Sequence, residues 1–263
     1  MSEPKIVCVD LETLPDLNEV LKVWPGLSNY PGLTLKATIN SIICFGYREF
    51  GVDAKAKCIS AWDFKNWTKD VNDDYEVVKA ARAIIADADA LISHNGKRFD
   101  LKFFNTRLAK HGLEPLHKMK HIDTCQKAKQ HYYLFNNKLD TLGKWFADEE
   151  KMDHEGWPLW VKVHGGLPRV KDEDAEQRMT KYCKQDVDLT TKVFKVLRPH
   201  CNEIPNYNLF TSMDVNVCTH CGSTRIKRDG HTYTKTTVLK RWRCKDCYGA
   251  MTESKKNKTL KPV

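Results

Sequence analysis

Two carboxylates, Asp10 and Glu12, follow the apolar run of residues 6–9. This run is rich in β-branched residues and predicts a short buried strand. Because side chains alternate across a strand, residues two apart point to the same side. The two carboxylates would therefore converge and repel each other unless a divalent cation lay between them. The pair predicts a metal site; the alternative is a strand end that caps the next segment.

Further candidate residues stand at two distant places in the chain. Asp100 closes the segment Asn95-Gly-Lys-Arg-Phe-Asp100, which follows a predicted strand and opens a helix. It is expected at the C-terminal edge of a sheet, where ligand crevices form, although its ordinary role would be a helix N-cap. Tyr182 and Asp186 are four residues apart in a long predicted helix and so share a face. Their alternative is a half-buried tyrosine beside a surface carboxylate.

The order of predicted elements indicates an α/β fold, a mixed sheet flanked by helices. The first three strands would form an antiparallel meander, followed by alternating helices and strands. Strands are predicted at residues 6–9, 41–47, 56–62, 90–93 and 121–124, and helices at 75–87, 101–111, 139–146 and 173–197.

Two inserts and a linker complete the predicted organisation. The inserts are residues 14–37 and 151–168, and the second contains Trp157 and Trp160. Either insert could cover a site and stack a base, or its aromatic residues could pack it onto the domain. The predicted domains are residues 1–200, a linker at 201–214, a module at 215–253 and a basic tail at 254–263.

Four of the ten cysteines form a metal-ligand pattern. Cys218-Thr-His-Cys221 and Cys244-Lys-Asp-Cys247 are separated by twenty-two residues. Each pair can supply two thiolates to a zinc tetrahedron, and the intervening residues would form the strands that bring the pairs together. The pattern predicts one structural Zn²⁺ and a module that folds only with its metal. Disulfides are the alternative, which an intracellular compartment disfavours.

The formal net charge of +9 lies entirely in residues 215–263, which hold twelve Lys/Arg and three Asp/Glu. Such a basic field suits a phosphate backbone, and aromatic residues among the cations suit base stacking. The alternatives are a solvated tail or a structural module that contacts protein. The candidate nucleic-acid contacts in this module are Arg225, Lys227, Arg228, Lys240, Arg241, Trp242 and Arg243.

The beginning of the chain, Met1-Ser-Glu-Pro, is polar and has no secretory pattern. No apolar run approaches the length that spans a membrane. We therefore expect a soluble intracellular protein, in the cytoplasm, without a membrane partner.

Three motifs resemble those of the DEDD (DnaQ-like) 3′–5′ exonucleases, which have a ribonuclease-H-like fold. They are Asp10-Leu-Glu12, Asn95-x-x-x-Phe99-Asp100 and Tyr182-x-x-x-Asp186. The tyrosine, with Lys181 where another branch has histidine, matches the DEDDy branch. Over about residues 4–198 the motifs are most similar to the proofreading exonuclease domain of family B DNA polymerases. The cysteine module resembles the zinc ribbons of transposases and other nucleic-acid proteins.

This resemblance implies hydrolysis of a phosphodiester with two Mg²⁺ or Mn²⁺ ions. Asp10 would bridge both ions. Glu12 and Asp186 would complete the first site, and Asp100 would hold the second ion. Tyr182 would orient the attacking water, because a phenol with an ordinary pKa is a poor base at neutral pH.

The resemblance also places the Thr13 backbone near the terminal 3′-hydroxyl and Asn95 beside the substrate strand. The sequence thus predicts a 3′–5′ exonuclease of nucleic acid, with single-stranded DNA favoured over RNA and a zinc ribbon that aids binding. The alternatives are a non-catalytic nucleic-acid-binding protein and an accessory exonuclease subunit, with replication or repair proteins as partners.

Overall fold

The computed structural model describes residues 3–15, 39–165, 169–211 and 216–252. The first predicted insert, except for residues 14 and 15, and the basic tail lie outside these residues. The strands are β1 (Ile6–Pro15), β2 (Ile39–Glu49), β3 (Lys57–Ser60), β4 (Ala90–Ser93), β5 (Lys120–Asp123), β6 (Ile226–Tyr233), β7 (Val238–Cys244) and β8 (Ala250–Thr252). The α-helices are α1 (Tyr75–Ile85), α2 (Asp100–Lys110), α3 (Thr124–His131), α4 (Leu139–Ala147), α5 (Trp157–His164) and α6 (Glu173–Leu197).

The larger sheet has the strand order β3-β2-β1-β4-β5. Strands β1, β2 and β3 pair antiparallel, whereas β4 pairs parallel with both β1 and β5. The predicted antiparallel meander and the mixed α/β sheet are therefore confirmed. Strand β1 is longer than predicted, because residues beyond Val9 continue to pair with β2.

Alternation along β1 decides what each of its residues faces. Val7 and Val9 belong to the larger core cluster, on one side of the sheet. Ile6 and Cys8 belong to a second cluster that includes Val187 of α6. Since even-numbered residues of β1 share a side, any polar residue that continues this series is directed to the side covered by α6.

Helix α6 has 25 residues, and its observed bounds are those predicted. It begins at a capped N-terminus, because the carboxylate of Asp172 accepts a hydrogen bond from the backbone N–H of Ala175 at 2.9 Å. Acidic residues fill its first turn, where the helix dipole favours negative charge. The helix packs along β1 and β2, and Tyr182 and Asp186 lie near its middle.

The C-terminal residues form a separate antiparallel sheet with the order β6-β7-β8. Its apolar cluster is small and centres on Cys218, Cys244 and Met251. The unit is anchored at the end of α6, where the Arg198 guanidinium donates to the carbonyl oxygen of His220 at 2.6 and 3.0 Å. We call this unit the ribbon.

Other elements differ from the sequence analysis in length. The predicted strand at 56–62 is only β3, and short 3-10 turns follow it from Ala61 onward. The second insert contains helix α5, which the sequence analysis did not predict; it begins after Gly156, whose φ is 67°. No helix in the described part of the chain is both long and apolar enough to cross a membrane.

Candidate functional site

Strand β1 and helix α6 bring three carboxylates together. Asp10 and Glu12 continue the even-numbered series of β1 and therefore face α6, which carries Asp186. Carboxylate oxygens of the three residues all lie within 4.8 Å of one another. We call this group the acidic triad.

The close approach of α6 to the sheet depends on Gly46. Gly46 of β2 pairs with Asp10 in the antiparallel register. A Cβ atom at this position would lie 2.8 Å from both Cys183 Sγ and Val187 Cγ2 of α6. Any larger residue would push the helix, and Asp186 with it, away from β1. No local sequence pattern predicts this role for Gly46.

Asp100, the first residue of α2, stands next to the acidic triad. It is buried, and backbone N–H groups, including that of Leu11, hydrogen-bond its carboxylate. Leu11 lies between Asp10 and Glu12, so this contact attaches the second motif to the first. Burial raises the pKa of Asp100 from 3.8 to about 6.

Asp123 holds the loop that leads to Asp100. Its buried carboxylate accepts hydrogen bonds from the backbone N–H groups of Asn95 and Lys97, at 3.0 and 3.2 Å. It also accepts from Gln126 and so caps α3. Asn95, which the resemblance places beside a substrate strand, is exposed and has a φ of 62°. One carboxylate thus holds the loop in which Asn95 adopts a left-handed backbone conformation.

The electrostatics of the triad oppose three ionised carboxylates. Burial raises the pKa of Asp10 well above its usual value, and the charges of Glu12, Asp186 and Asp100 raise it further. The pKa of Glu12 is raised in the same way, first by burial and then by Asp186. Without a cation, the carboxylates of the site must therefore bind protons, or remain ionised at a cost in free energy.

Lys151, at the start of the second insert, supplies a cation to the site. Its Nζ lies 2.5 Å from Asp186 Oδ2 and 2.7 Å from the hydroxyl oxygen of Tyr182. Its own backbone N–H donates to Asp140 at 3.2 Å. Burial opposes its charged form, but Asp186 and Tyr182 together raise its pKa above the ordinary value. Nothing in the residue spacing of the insert predicts a role for Lys151 in the site.

Tyr182 lies over the site as a protonated phenol. Burial and the neighbouring charges of Asp186 and Glu12 raise its pKa. Because its oxygen accepts a hydrogen bond from Lys151, its own O–H remains available as a donor, and Asp186 is one acceptor. The group can orient a ligand but cannot act as a base at neutral pH.

Aromatic residues of the second insert form one wall of the site. The rings of His154 and Tyr182 lie 4.7 Å apart between centroids, in an edge-to-face arrangement. The indole N–H of Trp160 donates to the carbonyl oxygen of Thr13 at 3.0 Å. Trp157 is buried in the main core. The insert is therefore packed onto the domain beside the site, and one of its tryptophans fixes the Thr13 backbone.

The residues present fit divalent ions. Mg²⁺ and Mn²⁺ prefer oxygen ligands, and Asp10, Glu12 and Asp186 offer them within 4.8 Å. Asp186 Oδ1 is buried and has no hydrogen-bond partner among the described residues. A buried carboxylate oxygen without a partner is costly unless a ligand completes it.

The four cysteines of the ribbon come together as the sequence predicted. The Sγ atoms of Cys218 and Cys247 lie 3.6 Å apart, and those of Cys221 and Cys244 lie 3.7 Å apart. A tetrahedron of thiolates about 2.3 Å from zinc has edges of about 3.8 Å. The Sγ–Sγ distances therefore match a closed zinc site.

Both knuckles of the ribbon place a left-handed residue after their second cysteine. After Cys221 this residue is Gly222, with a φ of 74°. After Cys247 it is Tyr248, with a φ of 60°. Glycine adopts this conformation without strain, whereas tyrosine does not. The second knuckle is therefore strained at an exposed position.

Many cations of the ribbon are engaged within it. Arg225 forms an ion pair with Asp246 at 2.6 Å. Arg241 and Arg243 both contact Asp229, at 3.2 and 3.0 Å. The other candidate contacts lie on the paired strands β6 and β7, where the Arg228 guanidinium covers the ring of Trp242 at 5.7 Å; these candidates are Lys227, Arg228, Lys240 and Trp242.

Comparison with known proteins agrees with this fold. The model of the RNase H superfamily matches residues 33–198, a segment that begins after Asp10 and Glu12 and contains Asp100, Tyr182 and Asp186. Among solved structures, the family B DNA polymerase from the hyperthermophilic archaeon Pyrobaculum calidifontis is similar, with a TM-score of 0.54 and 11% identity. That match covers 75% of this chain and 26% of the polymerase chain, so this chain spans about a quarter of the polymerase.

A comparison of the sequence with curated proteins gave no match. The superfamily model, however, matches more than half of the chain, and the predicted ribonuclease-H-like fold is confirmed. The chain belongs to the RNase H superfamily.

Proposed function

We propose that this protein is a metal-dependent 3′–5′ exonuclease that shortens single-stranded nucleic acid. The observation that carries the proposal is the convergence of the acidic triad, Tyr182 and Asp100 on a fold whose members are usually hydrolytic nucleases. Four acidic side chains from three distant segments have no structural reason to be buried together. Their mutual repulsion is useful only if cations and a phosphate bind there.

In this proposal the carboxylates hold two Mg²⁺ or Mn²⁺ ions. Asp10, Glu12 and Asp186 would hold the first, and Asp100 would hold the second together with Asp10. When bound, such a pair lowers the pKa of a bound water and neutralises charge on the phosphoryl oxygens. The donor set supports this assignment, since it consists of carboxylate oxygens only.

The neighbouring side chains would position the water and the phosphate. The Tyr182 O–H donates toward the site and orients a water or a phosphoryl oxygen, while Lys151 holds the phenol oxygen from the other side. The Lys151 ammonium adds a positive charge where negative charge develops on the phosphate. The Thr13 backbone and Asn95 are proposed to contact the terminal nucleotides.

DNA is the preferred substrate in this proposal, with RNA as the alternative. The preference is supported by the motif similarity to proofreading domains and by the structural similarity to a family B DNA polymerase. The same carboxylate chemistry serves both nucleic acids. Proteins of a replication or repair assembly remain proposed partners.

The ribbon is proposed to bind zinc and to help hold nucleic acid through its basic strands. Its anchor at Arg198 lies about 18 Å along the α6 axis from Asp186, at twelve residues of about 1.5 Å each. Contact with the ribbon would therefore involve nucleotides far from the terminal phosphate. The predicted domain limits, including the linker at 201–214, belong to this proposal.

The proposal is tested by digestion of 5′-labelled single strands of DNA and of RNA. The purified full chain is assayed with added Mg²⁺, with added Mn²⁺, and without divalent ions other than its zinc. We expect a ladder that shortens stepwise from the 3′ end, with DNA degraded faster. Internal cleavage, or shortening that does not require the added ion, would contradict the proposal.

A second candidate function is supported by one contact. Because the Lys151 ammonium pairs with Asp186, it could substitute for a metal in a protein that binds nucleic acid without hydrolysing it. In that case the strand would bind, and no product would form with any divalent ion. The digestion above separates the two functions when strand binding is measured in parallel. An exonuclease binds and shortens the strand, whereas the second candidate binds it and forms no product.

A further inference from the structure

We propose that a cleft beside the acidic triad holds the substrate strand, with cations for the phosphates and two exposed aromatic rings for the bases. The cleft has a volume of about 540 Å³ and lies between the loop before α2 and the segment that joins α3 to α4. Besides Lys151, its cations are Arg98, Lys129 and Lys138. This inference, the strand cleft, rests on the proposed function and adds a binding site for nucleic acid on the nuclease fold itself.

The strand cleft adjoins the acidic triad through Lys151. Lys151 lines the cleft, and its ammonium contacts Asp186. Asn95 also lines it, on the loop that Asp123 holds and that leads to Asp100. A ligand that fills the cleft therefore extends to Lys151, which contacts Asp186 of the acidic triad.

The cations of the strand cleft are available to a ligand. Arg98, Lys129 and Lys138 are exposed, and none forms an ion pair with another described residue. Elsewhere on the surface, cations such as Arg178 have acidic partners. The one acidic residue among those that line the cleft, Asp140, is already paired with a lysine of its own helix at 3.1 Å.

The cleft has an excess of positive charge, although residues 1–214 hold equal numbers of acidic and basic residues, thirty-one of each. The net charge of the whole chain therefore does not reveal the cleft. Three unpaired cations in one concave site attract a polyanion, and the attraction is strongest where charges of one sign line a cleft.

Two aromatic side chains stand beside these cations. Tyr133 is fully exposed, with a relative accessibility of 102%, and Phe135 has 86%. Both belong to the segment of residues 132–138, which leads directly into the cleft residues Asn137 and Lys138. Large aromatic residues exposed side by side usually mark a binding surface, and bases stack on such rings whatever their sequence.

The segment that carries these rings is packed against the rest of the domain. Its alternate residues point inward: the Tyr132 hydroxyl lies 3.2 Å from His200 Nε2, and Leu134 packs against the core under α4. The Asn136 side chain accepts hydrogen bonds, including one from the backbone N–H of Lys138 at 2.9 Å. The period of two therefore directs residues 133 and 135 outward, and holding the rings in place reduces the entropy lost on stacking.

Single-stranded nucleic acid is the ligand class that matches all of these features. The cations suit phosphates and the rings suit unpaired bases. Lys151, which lines the cleft, contacts Asp186, a carboxylate proposed to bind a metal ion at the scissile phosphate. A peptide partner would account for the exposed rings but not for the position of the cleft next to the acidic triad.

Two variants of the full chain test the strand cleft. One replaces its cations, Arg98→Gln, Lys129→Gln and Lys138→Gln together, and the other is Tyr133→Ala with Phe135→Ala. Binding is measured by fluorescence anisotropy with a 5′-labelled strand of about five nucleotides, since a short strand limits the contribution of the distant ribbon. Hydrolysis is measured with a nucleoside 5′-(p-nitrophenyl) phosphate, which is too small to fill the cleft.

The strand cleft predicts weaker strand binding in both variants. The cation variant should lose about tenfold or more in affinity, and the slope of log affinity against log salt should decrease by about two, as for three lost phosphate contacts. The aromatic variant should lose at least about fivefold with little change in the salt slope. Hydrolysis of the small diester should change by less than about twofold.

Matched variants exclude general effects of charge or folding. Lys55→Gln, Lys110→Gln and Lys195→Gln together remove three exposed lysine charges outside the cleft and should leave strand affinity nearly unchanged. Tyr133→Phe with Phe135→Tyr keeps both rings and should restore binding.

The binding measurement is made with Asp10→Asn also present, so that its result does not depend on hydrolysis. Wild-type affinity in both cleft variants would overturn the strand cleft, even if the protein proves to be an exonuclease, and would leave the exposed rings to a protein partner. If strands bind through the cleft but neither a strand nor the small diester is hydrolysed by the wild type, the proposed function fails and the cleft stands.

Discussion

The protein gathers four anionic side chains at each of two sites. One site is the acidic triad with Asp100, and the other is the four cysteines of the ribbon. In the ribbon the ligands are nearly the whole core, since its apolar cluster centres on Cys218, Cys244 and Met251. In the nuclease fold the carboxylates sit on a strand and two helices that a large core already holds. We therefore expect the thiolates to depend on a metal for their arrangement, whereas the large core holds the carboxylates in place without one.

The two sites also differ in how complete they are. Sγ–Sγ distances of 3.6 and 3.7 Å leave room for one tetrahedral ion and nothing else. The acidic site contains a buried oxygen of Asp186 without a partner among the described residues, and it is partly neutralised by Lys151. A closed site stabilises a fold, and an open site can exchange ions and admit a substrate.

The largest expected effect comes from removing one of the four thiolates proposed to bind zinc. Cys244→Ser removes one thiolate, and structural zinc contributes on the order of 10 kcal/mol to folding of such modules. We expect the ribbon to unfold and zinc to be lost, while the nuclease fold stays folded and cleaves a small diester. Zinc content and hydrogen exchange of residues 216–252 measure this. If the small diester were no longer cleaved by a chain whose nuclease fold is intact, the independence of the two sites would be wrong.

The next effect is on catalysis. Asp10→Asn keeps the shape of the side chain but removes a charge from both proposed ion sites, so we expect kcat to fall by at least about 10³-fold, or about 4 kcal/mol. Unlike Cys244→Ser, it should not destabilise the metal-free protein, because it relieves repulsion with Glu12 and Asp186. Rates and thermal unfolding are compared with those of Asp53→Asn, an exposed carboxylate far from the triad in sequence. A destabilised variant that retains activity would contradict this assignment.

A third effect is the pH dependence of the open site. Because burial raises the pKa of Asp100 from 3.8 to about 6, the folded metal-free protein binds more protons than the unfolded chain between these values. The stability this group contributes is complete below about pH 4 and is lost as the pH rises through about 6. The raised pKa values of Asp10 and Glu12 act in the same direction.

We therefore expect the free energy of unfolding without Mg²⁺ to fall by at least about 1 kcal/mol between pH 5 and 7 through Asp100 alone, and added Mg²⁺ to stabilise more at the higher pH. Thermal unfolding of the zinc-loaded chain checks this. Asp100→Asn should flatten both trends. Stabilisation by Mg²⁺ that does not depend on pH would argue against metal binding by these carboxylates.

The smallest effect is at the strained knuckle. Tyr248→Gly places glycine where φ is 60°, as Gly222 already is in the other knuckle. We expect the ribbon to gain about 1 kcal/mol of stability, with zinc content and hydrolysis unchanged. Competition with a zinc chelator measures the gain. A loss of stability would mean that the exposed Tyr248 ring makes contacts that outweigh its backbone strain.

Much of this arrangement was predictable from local patterns. The long helix α6 was predicted with its observed bounds, because an N-cap at Asp172 and acidic residues precede a sustained apolar period. The carboxylates of β1 were predicted to converge from their spacing of two. The spacing of the two cysteine pairs predicted that their four thiols come together.

Other features depend on tertiary contacts that no local pattern records. Lys151 reaches Asp186 across 35 positions from an irregular insert, and helix α5 lies within the same insert. The role of Gly46 appears only when α6 packs on β2. The strand cleft escaped composition analysis because its cations are balanced by acidic residues elsewhere in the fold.

A site in which four carboxylates bind a pair of exchangeable divalent ions is the feature on which the proposed activity depends. Its most direct test is a titration of the zinc-loaded full chain with Mn²⁺, followed by electron paramagnetic resonance, for the wild type and for Asp10→Asn. We predict about two Mn²⁺ bound per wild-type chain, both greatly weakened by the substitution while zinc is retained. Mn²⁺ binding that is absent in the wild type, or identical in Asp10→Asn, would contradict the account.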